Sequence, residues 1–146
     1  MCIRDSGISH RGYFASITDF KSYHDANMDL IDYKTATDLF HDNWPIYTRT
    51  NNSCPTHYFD TANVSNSVIS NGSMIEGTVE NSIVGRGCTI KKGAVIKNCV
   101  VLADCTIGEN VHIENLVVDK HAKITHAKEI IRPADEPGYI KRNDTL

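Results

Sequence analysis

The sequence predicts a mostly β protein: a parallel β-helix of about four coils, built from hexapeptide repeats and preceded by a short helical linker. Branched apolar residues return every six, six and then five positions, a period that fits neither a helix nor a half-buried strand. A motif of asparagine followed by apolar residues also recurs at intervals of 15, 17 and 17 residues. We call the branched apolar residue that begins each repeat the leading residue. Glycine, asparagine or aspartate lies three positions after the leading residues, where the chain must make a tight turn.

A period of six indicates three short strands per coil, arranged as a triangular prism. Each leading Ile or Val then points inward and stacks on its counterpart one coil away, at about 4.8 Å. The first full coil, from Ile69 to Val84, has spacings of six, four and five, so we expect one of its sides to be two residues shorter. The predicted inward residues are Val84, Ile90, Ile96, Val101, Ile107, Ile113 and Val118.

The corners of the prism have their own repeating residues. Because the asparagines return once per coil, we expect Asn66, Asn81, Asn98 and Asn115 to stack at one corner and to hydrogen-bond along the column through their amides. Small or modest residues four positions after the leading apolar ones should also point inward, where the triangle is narrow. These residues are Ser73, Cys88, Ala94, Cys105, Val111 and Ala122.

The segments that flank the repeat are predicted separately. DFKSYHDANMDLID, from Asp19 to Asp32, reads as a helix with Asp19 as the N-cap. Glu129–Arg132 is predicted to add a last strand, and the polar tail with Pro133 and Pro137 is predicted to stop propagation.

Composition excludes several classes of function. A formal charge of −3 and a pI near 6.1 give no basic footprint for nucleic acid. No apolar run reaches the roughly 18 residues of a membrane span, and no signal-peptide pattern begins the chain. Five cysteines without C-x-x-C argue against a disulfide framework. We therefore expect a cytoplasmic protein that binds neither nucleic acid nor membrane.

No catalytic, cofactor-binding or metal-binding residue is predicted in this chain. Cys88 and Cys105 are one coil apart and could suggest a metal or disulfide pair, but inward packing explains them more simply. Three histidines, His112, His121 and His126, occur late in the repeat, and a solvated surface position is the favoured interpretation. Arg86, Lys91 and Lys92 could meet an anionic effector, although a solvated face is again the simpler account.

Two segments together resemble one family. GYFASITDFKSYHDANMDLID, from Gly12 to Asp32, resembles the end of the nucleotidyltransferase domain of ADP-glucose pyrophosphorylase (glucose-1-phosphate adenylyltransferase). IEGTVENSIVGRGCTIKKGAVIKN, from Ile75 to Asn98, resembles the C-terminal left-handed β-helix of that family, and YIKRNDTL resembles its closing segment. The left-handed sense comes from this resemblance alone, since crossovers between parallel strands are usually right-handed.

The resemblance implies a division of the chain and a subunit type. Residues 1–6 look like a non-native scar, 7–60 like the end of the nucleotidyltransferase domain and a linker, 61–132 like the β-helix, and 133–146 like a C-terminal cap. Ser16 stands where catalytic members have an aspartate that helps to hold Mg²⁺, and a serine cannot supply that charge. The chain therefore looks most like the D-type, regulatory subunit of bacterial glycogen synthesis.

For the intact family enzyme the resemblance implies synthesis of ADP-glucose and pyrophosphate from ATP and glucose 1-phosphate, with Mg²⁺. For this chain it implies no cofactor and no turnover alone, and packing against its own catalytic domain. It also implies a hetero-oligomer with a catalytic partner subunit, and a possible small-molecule effector. Two alternatives remain: a hexapeptide acyltransferase that uses acyl-coenzyme A and a histidine base at a trimer interface, or a purely structural β-helix.

Overall fold

A computed structural model describes residues 7, 9–40, 43, 45–48 and 52–146. The predicted scar at residues 1–6 lies outside this part of the chain. Two helices come first, α1 (Phe20–Asp29) and α2 (Tyr33–Leu39). Fifteen short strands follow and form three parallel five-stranded sheets, so the chain crosses each face of a prism five times and makes between four and five turns. The predicted fold class, a mostly β hexapeptide solenoid behind a short helical segment, is confirmed.

The strands alternate strictly among the three faces. Face 1 contains β1 (His57–Tyr58), β4 (Met74–Ile75), β7 (Thr89–Ile90), β10 (Thr106–Ile107) and β13 (Lys123–Ile124). Face 2 contains β2 (Asn63–Ser65), β5 (Thr78–Glu80), β8 (Val95–Lys97), β11 (His112–Glu114) and β14 (Glu129–Ile131). Face 3 contains β3 (Val68–Ile69), β6 (Ile83–Val84), β9 (Val100–Val101), β12 (Leu116–Val118) and β15 (Gly138–Ile140).

The interior of the prism is a set of stacked apolar columns. Ile107 pairs in register with Ile90 on one side and with Ile124 on the other, and all three are 0% exposed. Each of the seven predicted inward residues lies in this core with 1% exposure or less. The small residues of the corners fill the remaining space, and the columns therefore bind each coil only to its neighbours.

The corners depend on left-handed backbone conformations. Among the described residues, eight that are not glycine have φ between 41° and 61°, and most of them are the asparagines and aspartates of the corner positions. The corner between β4 and β5 has only Glu76 and Gly77, whereas the equivalent corner between β7 and β8 has four residues. A Cβ on Gly77 would lie 2.5 Å from the carbonyl oxygen of Ala94, so this shortened corner requires glycine.

The solenoid is longer at both ends than the range 61–132 predicted from the sequence. It begins with β1 at His57, where the apolar period is not yet recognisable, and it ends with β15. Pro133 and Pro137 do not stop propagation, because they lie in the longer corner between β14 and β15 and take no place in a strand. The last residues then close the end on face 1, where Leu146 donates to the carbonyl of Lys123 at 2.9 Å.

Candidate functional site

Helix α1 docks on the prism through polar and apolar contacts. Asp19 begins α1 with a capping box: its side chain accepts from the backbone N–H of Ser22, and the Ser22 hydroxyl accepts from the Asp19 N–H at 3.0 Å. The bond from Ser22 holds the pKa of Asp19 below its usual value. This cap fixes where the helix starts and therefore which side chains reach the prism.

His24 joins α1 to the solenoid. Its ring is 6% exposed, and Nε2 lies 2.9 Å from the backbone carbonyl oxygen of Asn98. A carbonyl oxygen can only accept, so Nε2 carries the hydrogen. Nδ1 lies 3.4 Å from a carboxylate oxygen of Asp25. One buried side chain thus connects the helix to the corner that the asparagines build.

The outer side of face 3 provides the apolar part of the junction. Val100 and Val117 point away from the interior, yet they are only 1% and 2% exposed, and α1 packs against β9. At the end of the same face, the rings of Phe20 and Tyr139 meet edge to face with centroids 5.7 Å apart. Face 3 is therefore buried on both sides at β9 and β12, and α1 covers it at β9.

The asparagine corner runs beside the helices. The amide of Asn66 donates to the side-chain oxygen of Asn81 at 2.8 Å, and Asn81 donates to that of Asn98 at 2.6 Å. Asn115, which is buried, donates instead to the backbone carbonyl of Arg132 at 2.6 Å. All four asparagines have positive φ, so the same side chains make the turn and link the coils.

An apolar groove opens beside α1. It has a volume of about 470 Å³ and is lined mainly by aromatic and aliphatic side chains. Phe14 is 79% exposed and Ile17 59% exposed at its edge. Its apolar lining includes Tyr13, Phe14, Ile17, Tyr23, Leu30 and Leu39.

The cysteines lie in packing positions. The Cys88 thiol donates to the carbonyl of Leu102 at 3.1 Å, and the Cys105 thiol donates to that of Asp119 at 3.0 Å. Cys99 is 0% exposed, and burial raises the pKa of its thiol to about 12. A thiol with so high a pKa is a poor nucleophile at neutral pH. Cys54 is exposed.

The three histidines of the late repeat point outward and lie apart. His112 is half-buried between two carboxylates, with Nε2 at 3.6 Å from Glu114 and Nδ1 at 3.5 Å from Glu129. His121 occupies a left-handed corner, with φ 61°, and its ring approaches Asp104 at 3.7 Å. His126 is exposed. They do not converge on one site.

The remaining candidates are on the surface. Lys91 and Lys92 are exposed in a corner, and Arg86 is half-buried. Ser16 is exposed in the segment before α1. Within the described residues, no group of three or more His, Cys, Asp or Glu side chains could hold a metal ion. Ser16 presents a hydroxyl, so this position supplies no charged oxygen ligand to a cation. No helix of the described chain is long and apolar enough to cross a membrane.

Two parts of this site are not in the sequence-based prediction: helix α2 and the role of His24. The apolar residues Phe20, Tyr23, Leu30 and Ile31 suggest one face for this helical segment, but the residue that α1 buries most deeply is His24. A signal for the docking surface was present. Face 3 strands carry two adjacent apolar residues, as in VI, IV and VV, whereas the equivalent pairs of face 1 read TI at β7 and β10.

The geometry defines a hexapeptide β-solenoid with a helical segment docked on one face. The sequence model of the GlmU-like C-terminal hexapeptide family matches residues 55–136, more than half of the chain, and the chain belongs to that family. A glucose-1-phosphate adenylyltransferase of Geobacillus stearothermophilus is 42% identical over 86 residues, which are 59% of this chain and 22% of that protein.

Two further relatives match a larger share of the chain. Glycogen biosynthesis protein GlgD of Bacillus subtilis is 38% identical over 133 residues, 91% of this chain and 39% of that protein. A glucose-1-phosphate adenylyltransferase of Bacillus mycoides is 36% identical over 122 residues, 84% of this chain and 32% of that protein. The resemblance to ADP-glucose pyrophosphorylase, and to its D-type subunit, is confirmed. The chain spans about two fifths or less of these relatives.

Proposed function

We propose that this chain is the C-terminal part of a regulatory, D-type subunit of glucose-1-phosphate adenylyltransferase in cytoplasmic glycogen biosynthesis. The observation that carries the proposal is the junction itself: a segment similar to the end of a nucleotidyltransferase domain is fastened to a hexapeptide solenoid through His24 and face 3. The intact enzyme would make ADP-glucose and pyrophosphate from ATP and glucose 1-phosphate, using Mg²⁺.

The proposed role of the chain is assembly and allosteric transmission without turnover of its own. Ser16 replaces a carboxylate that a hard cation prefers, which supports a non-catalytic subunit. The groove beside α1 exposes Phe14 and Ile17, an apolar surface suited to pack against the subunit's own nucleotidyltransferase domain. Helix α1 lines this groove and also contacts the prism. A displacement of the nucleotidyltransferase domain would therefore be transmitted through α1 to the solenoid.

The test is to add the purified chain to the catalytic partner subunit and to measure both co-purification and the partner's rate of ADP-glucose synthesis. We expect a complex and a changed rate, with no synthesis by the chain alone. Lys91→Asp, on an exposed corner, should leave both results intact, whereas Val84→Asp should abolish both because a charge inside the prism unfolds it.

If neither a complex nor a change of rate appears with the folded chain, the assembly role is wrong. A small-molecule effector would show as a ligand that alters the rate of the complex but not that of the catalytic partner alone. Binding of acetyl-coenzyme A by a trimeric form of this chain would instead favour the acyltransferase alternative, with His112 as the outward histidine to replace.

A further inference from the structure

Two buried cysteines are neighbours inside the prism. Thr89 pairs in register with Thr106, so the residues that precede them, Cys88 and Cys105, occupy equivalent positions in adjacent coils. Both side chains are 1% exposed and belong to the apolar core. Adjacent strands of a sheet lie about 4.8 Å apart, and disulfides join residues whose Cα atoms are about 4.4–6.8 Å apart. The backbone therefore holds this pair at a separation that a disulfide spans.

The thiols of the pair are also suitably directed. The Cys88 thiol donates at 3.1 Å to the carbonyl of Leu102, which lies in the coil of Cys105. The Cys105 thiol donates in the same way to the carbonyl of Asp119 in the following coil, at 3.0 Å. Both thiols thus point along the column in one direction, and the Cys88 sulfur lies on the side of Cys105. Side-chain rotation with a small backbone adjustment brings the sulfurs to the disulfide bond length of about 2.05 Å.

The other members of the column show that packing does not require two thiols. The strand registers align Ser73 with Cys88 on one side, and Ala122 with Cys105 on the other. Ser73 and Ala122 are as deeply buried as the two cysteines. A serine or an alanine therefore fills this narrow part of the prism equally well.

We propose that Cys88 and Cys105 are a redox pair, which a peroxide oxidises to a disulfide that links two adjacent coils. A small uncharged oxidant such as hydrogen peroxide reaches the buried thiols in brief local openings of the coil. One thiolate attacks the peroxide, its O–O bond breaks, and a sulfenic acid forms. The second thiol then attacks the sulfenic sulfur and releases water. Overall, the thiols lose two protons and two electrons, and one hydrogen peroxide becomes two water molecules.

The two sulfurs have different roles in this reaction. The adjacent Cys88 side chain lowers the pKa of Cys105, whereas contact with Cys105, together with burial, raises the pKa of Cys88. The thiolate is the reactive form of a cysteine. Cys105 therefore forms the sulfenic acid, and Cys88 converts it to the disulfide.

The disulfide closes the coil on which α1 docks. Residues 88–105 include Asn98, whose carbonyl accepts from His24, and β9, against which α1 packs. The coils of a solenoid are otherwise held by contacts with their neighbours. A covalent link restricts the unfolded states of the segment that it closes, so oxidation stabilises the docking surface of α1. This inference concerns redox state and stability, and it does not rest on the proposed function.

The test is peptide mapping of the folded chain after treatment with hydrogen peroxide, with the remaining thiols then blocked by iodoacetamide. Trypsin cuts after Arg86 and Lys97, so we expect the peptide that begins at Gly87 to be linked to the peptide that begins at Asn98. The thermal transition of the oxidised chain should rise by roughly 5–10 °C. Dithiothreitol should reverse both changes.

Three variants separate the redox reaction from folding. Cys88→Ser and Cys105→Ala introduce residues that the same column already holds in neighbouring coils, so each variant should fold and form no link. Cys99→Ser is the matched control. Cys99 is equally buried but aligns with Ser82 and Leu116, so its replacement should leave the link unchanged. Folding of each variant is checked by its thermal transition.

Several results would overturn the proposal. Oxidation of the exposed Cys54 without a link between Cys88 and Cys105 is one of them. Others are a link that forms only in denaturant, a link that is lost in Cys99→Ser, and an unchanged thermal transition after the link has formed. Binding of the catalytic partner is a separate measurement, so each of these results rejects the redox pair and leaves the assembly role to its own test.

Discussion

Replacement of Ile107 by alanine removes three carbon atoms from the middle of the prism. The side chain is 0% exposed and lies between Ile90 and Ile124, which are equally buried. At about 0.8 kcal/mol for each buried carbon, lost transfer free energy amounts to roughly 2.4 kcal/mol. The hydrogen-bonded walls limit collapse, and a residual cavity of about 40 Å³ adds roughly 1 kcal/mol. We expect the free energy of unfolding to fall by about 3.5 kcal/mol.

The assay is denaturant unfolding followed by circular dichroism, with a thermal scan beside it. For a chain of this length, a loss of that size lowers the melting temperature by about 10 °C. Ile131→Ala deletes the same atoms from a side chain that is 47% exposed in β14, and it should cost less than about 1 kcal/mol. Equal costs for the two variants, or a cost below about 1 kcal/mol for Ile107→Ala, would refute the inward stacking.

Three further outcomes are expected. His24→Ala removes the hydrogen bond from α1 to the backbone carbonyl of Asn98. The α1 amides should then exchange hydrogen faster, by an amount that corresponds to a loss of about 1–3 kcal/mol in local stability. Gly77→Ala should lower the free energy of unfolding by about 1–3 kcal/mol, because the new Cβ would lie 2.5 Å from a backbone oxygen. Gly7→Ala is the control: no atom lies within 4 Å of its new Cβ, so the same denaturation assay should show no change. Alkylation by iodoacetamide is measured by mass spectrometry at pH 7.5, roughly one unit below the ordinary thiol pKa. Cys54 is exposed and should react in the native state, whereas Cys99 is buried and should react only after unfolding.

Contrary results would point to specific errors. Unchanged exchange in α1 would mean that the apolar contacts with Val100 and Val117 hold the helix without the histidine. A neutral Gly77→Ala would mean that the shortened corner relaxes. Native alkylation of Cys99 would mean that the interior opens on the timescale of the reagent.

The repeat could be predicted from the sequence because the same residue pattern recurs in every coil. Val84, Ile90 and Ile96 recur at the period that only a three-sided coil gives, and the asparagines recur at a corner that needs left-handed backbone. Each coil contacts only its neighbours, so local sequence is nearly sufficient to fix local structure. Where the pattern weakens, at β1 and at β15, the predicted range of 61–132 stops short of the ends of the solenoid.

The docking of α1 was not predictable from its own residues. Its apolar positions favoured Phe20 and Tyr23, whereas the most buried side chain is His24. A histidine on a short helix has no special signal, and its partner is a backbone carbonyl 74 residues away. No periodicity within the helix contains that information.

The sequence by itself determined the prism: its period, its inward columns, its corner residues and its shortened side. Backbone geometry and side-chain size act over a few residues, and each coil repeats them. Only the tertiary structure decided that face 3 is covered by α1, that the tail closes one end, and that Tyr58 lies exposed at the other. These features depend on which distant surfaces meet, because burial is a property of the assembled chain.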